Sequence, residues 1–452
     1  MGKNSNGNDV VLLMDTFSTE SKNLLYSLRK TGCDCKAVVI EDDGFLPENV
    51  MSVYGYFLGN FKGEKGIKGS PRYFNQITVP DYWEISGTNT RGSVHDLYKE
   101  RARIFYAQPV HKRLVKVVDW LDERGVVRSS DHYNCYGALY ARTVFNAKGQ
   151  KVNRSYFDAA GREIIVENYV TKDIILNDDQ VRIFQSKVDF ILYFFKKAGL
   201  EQCRLFFNSL STPFFVSQRL TAPEKCDVLF WQEPVKDEIP GNMQIILNGQ
   251  ASRTETIMVQ KRQAYDRLLE LGANRQMLHR LGYLYPFEKT NRQRPEALIC
   301  TNSDRIEHCR KIVKALPQIH FHIAAITEMS SRLMSVGTYS NVSLYPGVKM
   351  KVLDELFDRC DYYLDINHES EIVSAVYQAF LHDQLIFAFR ETLHNQEFVA
   401  EEQIYPAEAV DQLIADMKAV TEDAEKWKKR LEFQHAYALT AESEEYAVLG
   451  FQ

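Results

Sequence analysis

The sequence predicts an α/β protein of two doubly wound domains, with an antiparallel β-meander inserted into the first. Two observations carry that prediction. Apolar strand-like runs alternate with helical segments at both ends of the chain, as in parallel sheets covered by helices. Between them, Asp/Asn-x-x-Gly signatures recur every twelve residues, the mark of successive hairpins.

The first domain opens with Asp9–Asp15 (DVVLLMD), a continuous apolar run suited to a buried strand. Ser18-Thr19-Glu20 supplies helix-start residues, SKNLLYSLRKTG has helical periodicity, and Gly32 ends it. AVVIEDD from Ala37 is the next strand. The α/β rhythm then stops, and residues 53–172 are rich in Tyr, Phe, Val, Asn and Gly.

Four turns punctuate this region: Asp122–Gly125, Asn134–Gly137, Asn146–Gly149 and Asp158–Gly161. Each follows an apolar or aromatic residue (Leu121, Tyr133, Phe145, Phe157). An Asp or Asn three residues before a Gly suits a type I turn closing at positive φ, and the intervening eight residues suit one strand. The period predicts about five antiparallel strands.

Helical patterning resumes after residue 173, with QVRIFQSKVDFILYFFKKAG read as an amphipathic helix ending at Gly199. CRLFFNS and CDVLFWQEP read as strands; IPGNMQIILNG, opened by a Pro-Gly turn, and TETIMVQ follow. A second α/β unit begins near Pro295 with ALICTNSD, then HFHIAAIT, VSLYPGV and DYYLDIN, with helices between. The tail from Ala407 is helical. The expected organisation is 1–52 and 173–290 for the first Rossmann-like domain, 53–172 for the insertion, 291–420 for the second domain, and 421–452 for a helical tail.

Composition narrows the function. The chain has 452 residues, 45% hydrophobic and 25% charged, and a net charge of −5. That balance argues against nucleic acid as a partner. The greasiest run, FILYFF from Phe190, is far short of a membrane span, and the polar start MGKNSNGND lacks the apolar core of a signal peptide. A cytoplasmic protein is expected. The eight cysteines form no CxxC pair, and His132 with Cys135 has no second pair to complete a zinc site, so all are read as thiols. His320 and His322 share a strand face, but no third ligand is evident. No metal and no cofactor are expected.

The segments DDGFLPE (Asp42–Glu48), YFNQITVPDYWEI (Tyr73–Ile85), HKRLVKVVDW (His111–Trp120), SDHYN (Ser130–Asn134), NSLSTPF (Asn208–Phe214) and LFWQEPVKDEIPGNM (Leu229–Met243) carry a resemblance that covers essentially the whole chain. The chain resembles the GtfB family, non-catalytic partners of the GtfA O-GlcNAc transferase that glycosylates serine-rich-repeat adhesins in Gram-positive bacteria. The resemblance implies a GT-B glycosyltransferase-like fold and a hetero-oligomer with GtfA, possible as a tetramer. It also implies that the meander helps to join the subunits and that the adhesin polypeptide is the acceptor.

Active retaining GT-B enzymes carry two glutamates, with seven residues between them, on the loop and helix resembling residues 367–380. Here Tyr377 stands eight positions beyond Glu369 and Ala379 eight beyond Glu371, while Gln378 pairs with Ser370. Every register loses a carboxylate. The Arg and Lys expected near the diphosphate are replaced by Asn302, Ser303 and Glu307, with Arg305 the one displaced substitute. The loop LLMDTFSTES has no glycine. Asn302, Arg305 and Gln378 are therefore read as a degenerate donor site, and no residue is read as catalytic.

Acceptor binding is assigned to Asn208, Ser209, Ser211, Trp231, Gln232 and Glu233 in the first domain, and to His368, Glu369 and Ser370 in the second. Trp231 could stack on a sugar ring or be buried core. The serines could cap a helix, and Glu369 and Glu371 suit a helix N-terminus. Tyr140, Arg142, Arg154 and Tyr156 are the candidate partner interface, of residue types enriched in hot spots. Lys426, Lys428, Lys429 and Arg430 around Trp427 are the one candidate for peripheral membrane contact, and a solvated helix explains them more simply. Competing readings are an active transferase with an unorthodox donor site and a stand-alone binding module.

Overall fold

The computed structural model describes residues 10–59, 69–221 and 226–450. The chain divides into two compact units. Residues 1–259, 266–279 and 446–452 form one, and residues 260–265 and 280–445 form the other.

The first unit holds a seven-stranded sheet in the order Leu278–Arg280, Thr254–Val259, Asp227–Trp231, Arg204–Phe207, Val10–Met14, Lys36–Val39, Val50–Ser52. The pairs from Thr254–Val259 to Val50–Ser52 are parallel. Val10–Met14 is buried along its whole length, as expected for a central strand covered on both faces. Helix Thr19–Lys30 follows it, capped by Ser18, whose side chain accepts from Ser21 N at 3.2 Å. Leu24, Leu25 and Leu28 form its buried stripe. At the start of strand Asp227–Trp231, the buried carboxylate of Asp227 accepts two bonds from Arg253 at 2.8 Å, one from Leu205 N at 2.9 Å and one from Ser217 Oγ at 2.7 Å.

The same unit carries a ten-stranded antiparallel sheet running in sequence order from Glu84–Gly87 to Val181–Phe184. The four turns, spaced twelve residues apart, form as the sequence predicts. Gly125, Gly137, Gly149 and Gly161 sit at φ between 73° and 80°, and each donates its N–H to the carbonyl of the Asp or Asn three residues earlier. The sheet is twice the size predicted, because hairpins such as Arg91–Asp96 with Lys99–Tyr106 turn through Leu97-Tyr98 and lack the signature. Val181–Phe184, read as part of a helix, is instead the edge strand. The helix starts at Lys187, where Ser186 caps it by accepting from Asp189 N at 3.2 Å.

One face of the sheet packs on the parallel domain. Tyr156 stacks on Tyr54 of helix Val53–Phe57, and Lys187 lies 2.6 Å from Glu41 and 2.9 Å from Glu167. At the other end, Val94, Ala102, Ile104, Val115 and Val118 form a second core closed by Ile77 and Phe74.

The second unit has a six-stranded sheet in the order Val342–Tyr345, His320–Ala325, Glu296–Thr301, Tyr362–Asp365, Leu385–Phe389, Ile404–Tyr405, all parallel. Ile299, Phe321, Leu364 and Phe387 are at the centre of its core, covered by Leu413, Met417 and Leu431. The tail is two helices, Val410–Glu422 and Ala424–Tyr437, broken at Asp423, whose side chain caps the second by accepting from Glu425 N and Lys426 N.

Candidate functional site

In each unit the strand order reverses at one point, and open α/β sheets place ligands outside the carboxyl ends of strands at such a point. In the first unit it lies between Val10–Met14 and Arg204–Phe207, because their chains leave towards opposite edges. Asn208 Nδ2 donates to Ser21 Oγ and to Gln232 Oε1, both at 3.0 Å. Gln232 Nε2 donates to Glu20 O at 3.2 Å. Ser209 Oγ donates to Ser211 Oγ at 3.0 Å, and Ser211 Oγ donates to Asp15 Oδ2 at 2.5 Å. The structure therefore joins Asn208, Ser209, Ser211 and Gln232 at one sheet end. Among the described residues, Asn208 Oδ1 is buried with no hydrogen-bond partner.

Two assignments change. Trp231 is only 4% exposed and ends a strand buried at every position, so it offers no ring face for a sugar. Burial on both sides of a central parallel strand decides this, and its indole N–H has no partner among the described residues. Ser211 precedes helix Thr212–Arg219 but makes no side-chain cap bond, having turned to Asp15. Glu233 is exposed beyond the strand. Asp15 and Ser21 were missed; the signal was a polar residue directly after the strand VVLLM.

In the second unit the reversal lies between Glu296–Thr301 and Tyr362–Asp365. Thr301 Oγ1 donates to Asn367 Oδ1 at 2.7 Å, and Asn367 Nδ2 to Glu369 O at 3.1 Å. Glu307 is hydrogen-bonded to His368 and lies 3.2 Å from His308. Arg305 is exposed with its guanidinium 3.4 Å from Glu369, so the one displaced cation already faces an acid. Asn302 Oδ1 is buried with no partner among the described residues. Ser370 is exposed, and Gln378 is half-buried on helix Ala375–Leu381.

Glu371 Oε1 accepts from Val376 N at 2.8 Å, so it caps that helix from within the loop. Burial pushes its carboxyl above the ordinary value. His394, unmarked in the sequence, binds Asp365 through Nδ1 at 2.6 Å and Glu369 O through Nε2 at 2.6 Å, while its N–H donates to Asp365 Oδ2 at 2.8 Å. The bond to Asp365 raises its pKa to about 9, which makes it a cation at neutral pH.

His320 pairs with Ser343 at 2.8 Å, and His322 with Tyr345 and Glu296, both at 2.9 Å. Cys360 brings a third donor atom to Glu296 and His322, all within 4.8 Å, but Arg359 also binds Glu296 and supplies the positive charge there.

The four candidate interface residues divide. Tyr140 is buried with its hydroxyl donating to Asp42 O at 2.9 Å, and Tyr156 is buried against Tyr54. Arg154 donates to Thr143 Oγ1 at 2.8 Å and lies 3.2 Å from His132 Nε2. These three face inward, because this side of the sheet covers the parallel domain, and they are not surface contacts. Arg142 is 47% exposed and paired with Asp131. In the basic helix, Trp427 packs on the core and donates to Asn291 Oδ1 at 3.2 Å and Arg430 binds Asp416 at 2.8 Å, while Lys426, Lys428 and Lys429 are exposed. Among the described residues no helix is long and apolar enough to cross a membrane.

Family models match along the chain: the GtfB N-terminal domain at residues 11–57, the GtfB middle domain at 83–185, the GtfB third domain at 187–271, and the GftB/GlyA-F C-terminal domain at 297–434. The UDP-N-acetylglucosamine–peptide N-acetylglucosaminyltransferase stabilizing protein GtfB of Streptococcus agalactiae is 44% identical over 412 residues, covering 90% of this chain and 92% of that protein. A chain in the crystal structure of a GtfA/B complex bound to UDP and GlcNAc superposes with a TM-score of 0.91 at 40% identity, over 96% of this chain and 98% of that one. The pneumococcal O-GlcNAc transferase GtfA, at 13% identity over 97% and 96% of the two chains, shares the fold with a TM-score of 0.51.

Proposed function

The chain belongs to the GtfB family, and from that premise we propose that it is the non-catalytic subunit that stabilises a GtfA-type O-GlcNAc transferase in a hetero-oligomer. In this reading it also holds the serine-rich-repeat acceptor while GlcNAc passes from UDP-GlcNAc to Ser or Thr, and it works in the cytoplasm. The observation that carries the non-catalytic part is the use made of the two loop glutamates. Glu371 is spent on capping a helix, and Glu369 lies 3.4 Å from Arg305 in an exposed pair, so two free carboxylates do not stand together to grip a sugar and a ribose.

Acceptor holding is supported by the strand-end network of the first unit. Asp15, Ser211, Ser209 and Asn208 present hydroxyl, amide and carboxylate groups of the kind a serine-rich peptide pairs with. The buried, unpartnered Asn208 Oδ1 is an acceptor that a ligand N–H or O–H would satisfy. Docking on the catalytic partner is assigned to the edge strand Val181–Phe184, where Val181 is 70% and Ile183 66% exposed. An apolar sheet edge of this kind is a template for another chain.

The test titrates bare serine-rich peptide, GlcNAc-peptide and UDP-GlcNAc separately into the purified chain, and measures thermal unfolding of GtfA with and without it. Peptide binding and a raised GtfA midpoint, without nucleotide binding, support the reading. The second reading, an active transferase, needs a cation at the second switch point; His394 stands there, with both ring nitrogens already bonded, to Asp365 and to Glu369 O. Tight UDP-GlcNAc binding with transfer by the chain alone would establish it instead.

A further inference from the structure

The amino ends of the second unit's strands carry a side-chain cluster that the accessory role does not use, at the opposite end of the sheet from Thr301 and Asn367. Glu296 opens the central strand Glu296–Thr301. Its register partner on the neighbouring strand is His320, so His322 follows on the same face. Cys360 stands just before Tyr362–Asp365, the strand on the other side of Glu296–Thr301. A Glu296 carboxylate oxygen, a His322 ring nitrogen and the Cys360 sulfur lie within 4.8 Å of one another, and no other group of this kind occurs among the described residues. His322 and Cys360 are buried, while Glu296 keeps an opening to solvent with its side chain 21% exposed. The histidine pair of the sequence thus gains, through the fold, two donors from other segments.

We propose that Glu296, His322 and Cys360 form a zinc site, with a water molecule as the fourth ligand. Carboxylate, imidazole and thiolate are the donor types that zinc takes. Bonds of about 2.0–2.3 Å put the ligand atoms of a tetrahedral ion about 3.3–3.7 Å apart, so side-chain shifts of about 1 Å close the cluster on an ion. The support behind the histidine is in place. His322 Nδ1 lies 2.9 Å from the Tyr345 hydroxyl. That hydroxyl can accept from Nδ1–H and so free the Nε2 lone pair, which now faces Glu296 Oε2 at 2.9 Å. Arg359 is the other partner of Glu296, with Nη2 at 3.2 Å, and its side chain is 55% exposed. It reaches the carboxylate from the solvent side. An entering ion takes the place of the guanidinium on Glu296, and the Cys360 thiol gives its proton to water as the sulfur–zinc bond forms. Arginine and zinc therefore compete for one carboxylate. The bound ion ties together two adjacent strands and the entry to a third, and so stabilises the second unit.

The experiment strips the full-length chain of metal with a chelator and titrates it with Co²⁺ as a spectroscopic probe, then with Zn²⁺. The expected result is a thiolate-to-cobalt charge-transfer band that saturates at one ion per chain, is displaced by Zn²⁺, and is matched by a raised unfolding midpoint with Zn²⁺. Cys360→Ser abolishes the band, and His322→Gln weakens cobalt binding roughly tenfold or more. Arg359→Ala removes the competitor and tightens binding about threefold. Cys135→Ser, on the inserted sheet, leaves the titration unchanged. Unfolding midpoints are measured for each variant, and the exposed Arg359→Ala decides if the buried replacements do not fold. Absence of the charge-transfer band, a band that survives Cys360→Ser, or an affinity indifferent to Arg359→Ala would overturn the proposal.

Discussion

The rings of Tyr54 and Tyr156 stack with centroids 4.4 Å apart and planes 15° from parallel. Tyr54 belongs to helix Val53–Phe57 of the parallel domain and Tyr156 to strand Lys151–Phe157 of the meander, so the contact fastens one to the other. Both are buried, and the Tyr156 hydroxyl reaches Glu167 at 3.4 Å. Tyr156→Ala removes a buried ring and is expected to destabilise the first unit by about 3–5 kcal/mol. Tyr156→Phe keeps the stack and loses one long hydrogen bond, about 1 kcal/mol. Denaturant midpoints of the two variants check the order.

A second prediction concerns Asp227 and Arg253, which are fully enclosed. Removing one partner leaves an uncompensated buried charge, so Asp227→Ala should cost about 3–5 kcal/mol. Replacing both with apolar residues of similar volume should recover much of that loss. Double-mutant unfolding measurements test it, and a double variant no more stable than Asp227→Ala would contradict the account.

The repeated turns offer a graded comparison. Gly149 is at φ 73° with nothing within 4 Å of an added Cβ, so Gly149→Ala meets backbone strain alone, about 1 kcal/mol. Gly137 is at φ 80°, and its Cβ would fall 2.5 Å from Ser70 O. Gly137→Ala should therefore lower the unfolding midpoint clearly more than Gly149→Ala. The two turns have the same signature in the sequence, and only the neighbouring chain separates them.

That contrast marks what was legible. The turns could be read because each is set by four consecutive residues. The strand ends that carry candidate residues could be read because NSLS and NHES follow recognisable strands. The facing of Tyr140 and Tyr156 could not, because alternation defines two faces of a strand without saying which one a distant domain covers. Trp231 was ambiguous for the same reason: its burial comes from elements on both sides of the sheet. His394 escaped notice because its partner, Asp365, is 29 residues away.

The Asp365–His394 pair yields a pH prediction. The folded pKa of His394 is about 9, above the ordinary histidine value near 6.5. A group whose pKa rises on folding adds stability that is fully present below its unfolded value and lost as pH climbs through the folded one. The second unit should therefore be more stable at pH 6 than at pH 9.5, by of order 2–3 kcal/mol from this group. His394→Gln should flatten that part of the profile and lower stability mainly below pH 8. Unfolding curves from pH 6 to 10, with NMR titration of the His394 ring, measure both effects. A ring that titrates near 6.5 would contradict the account of the Asp365–His394 pair.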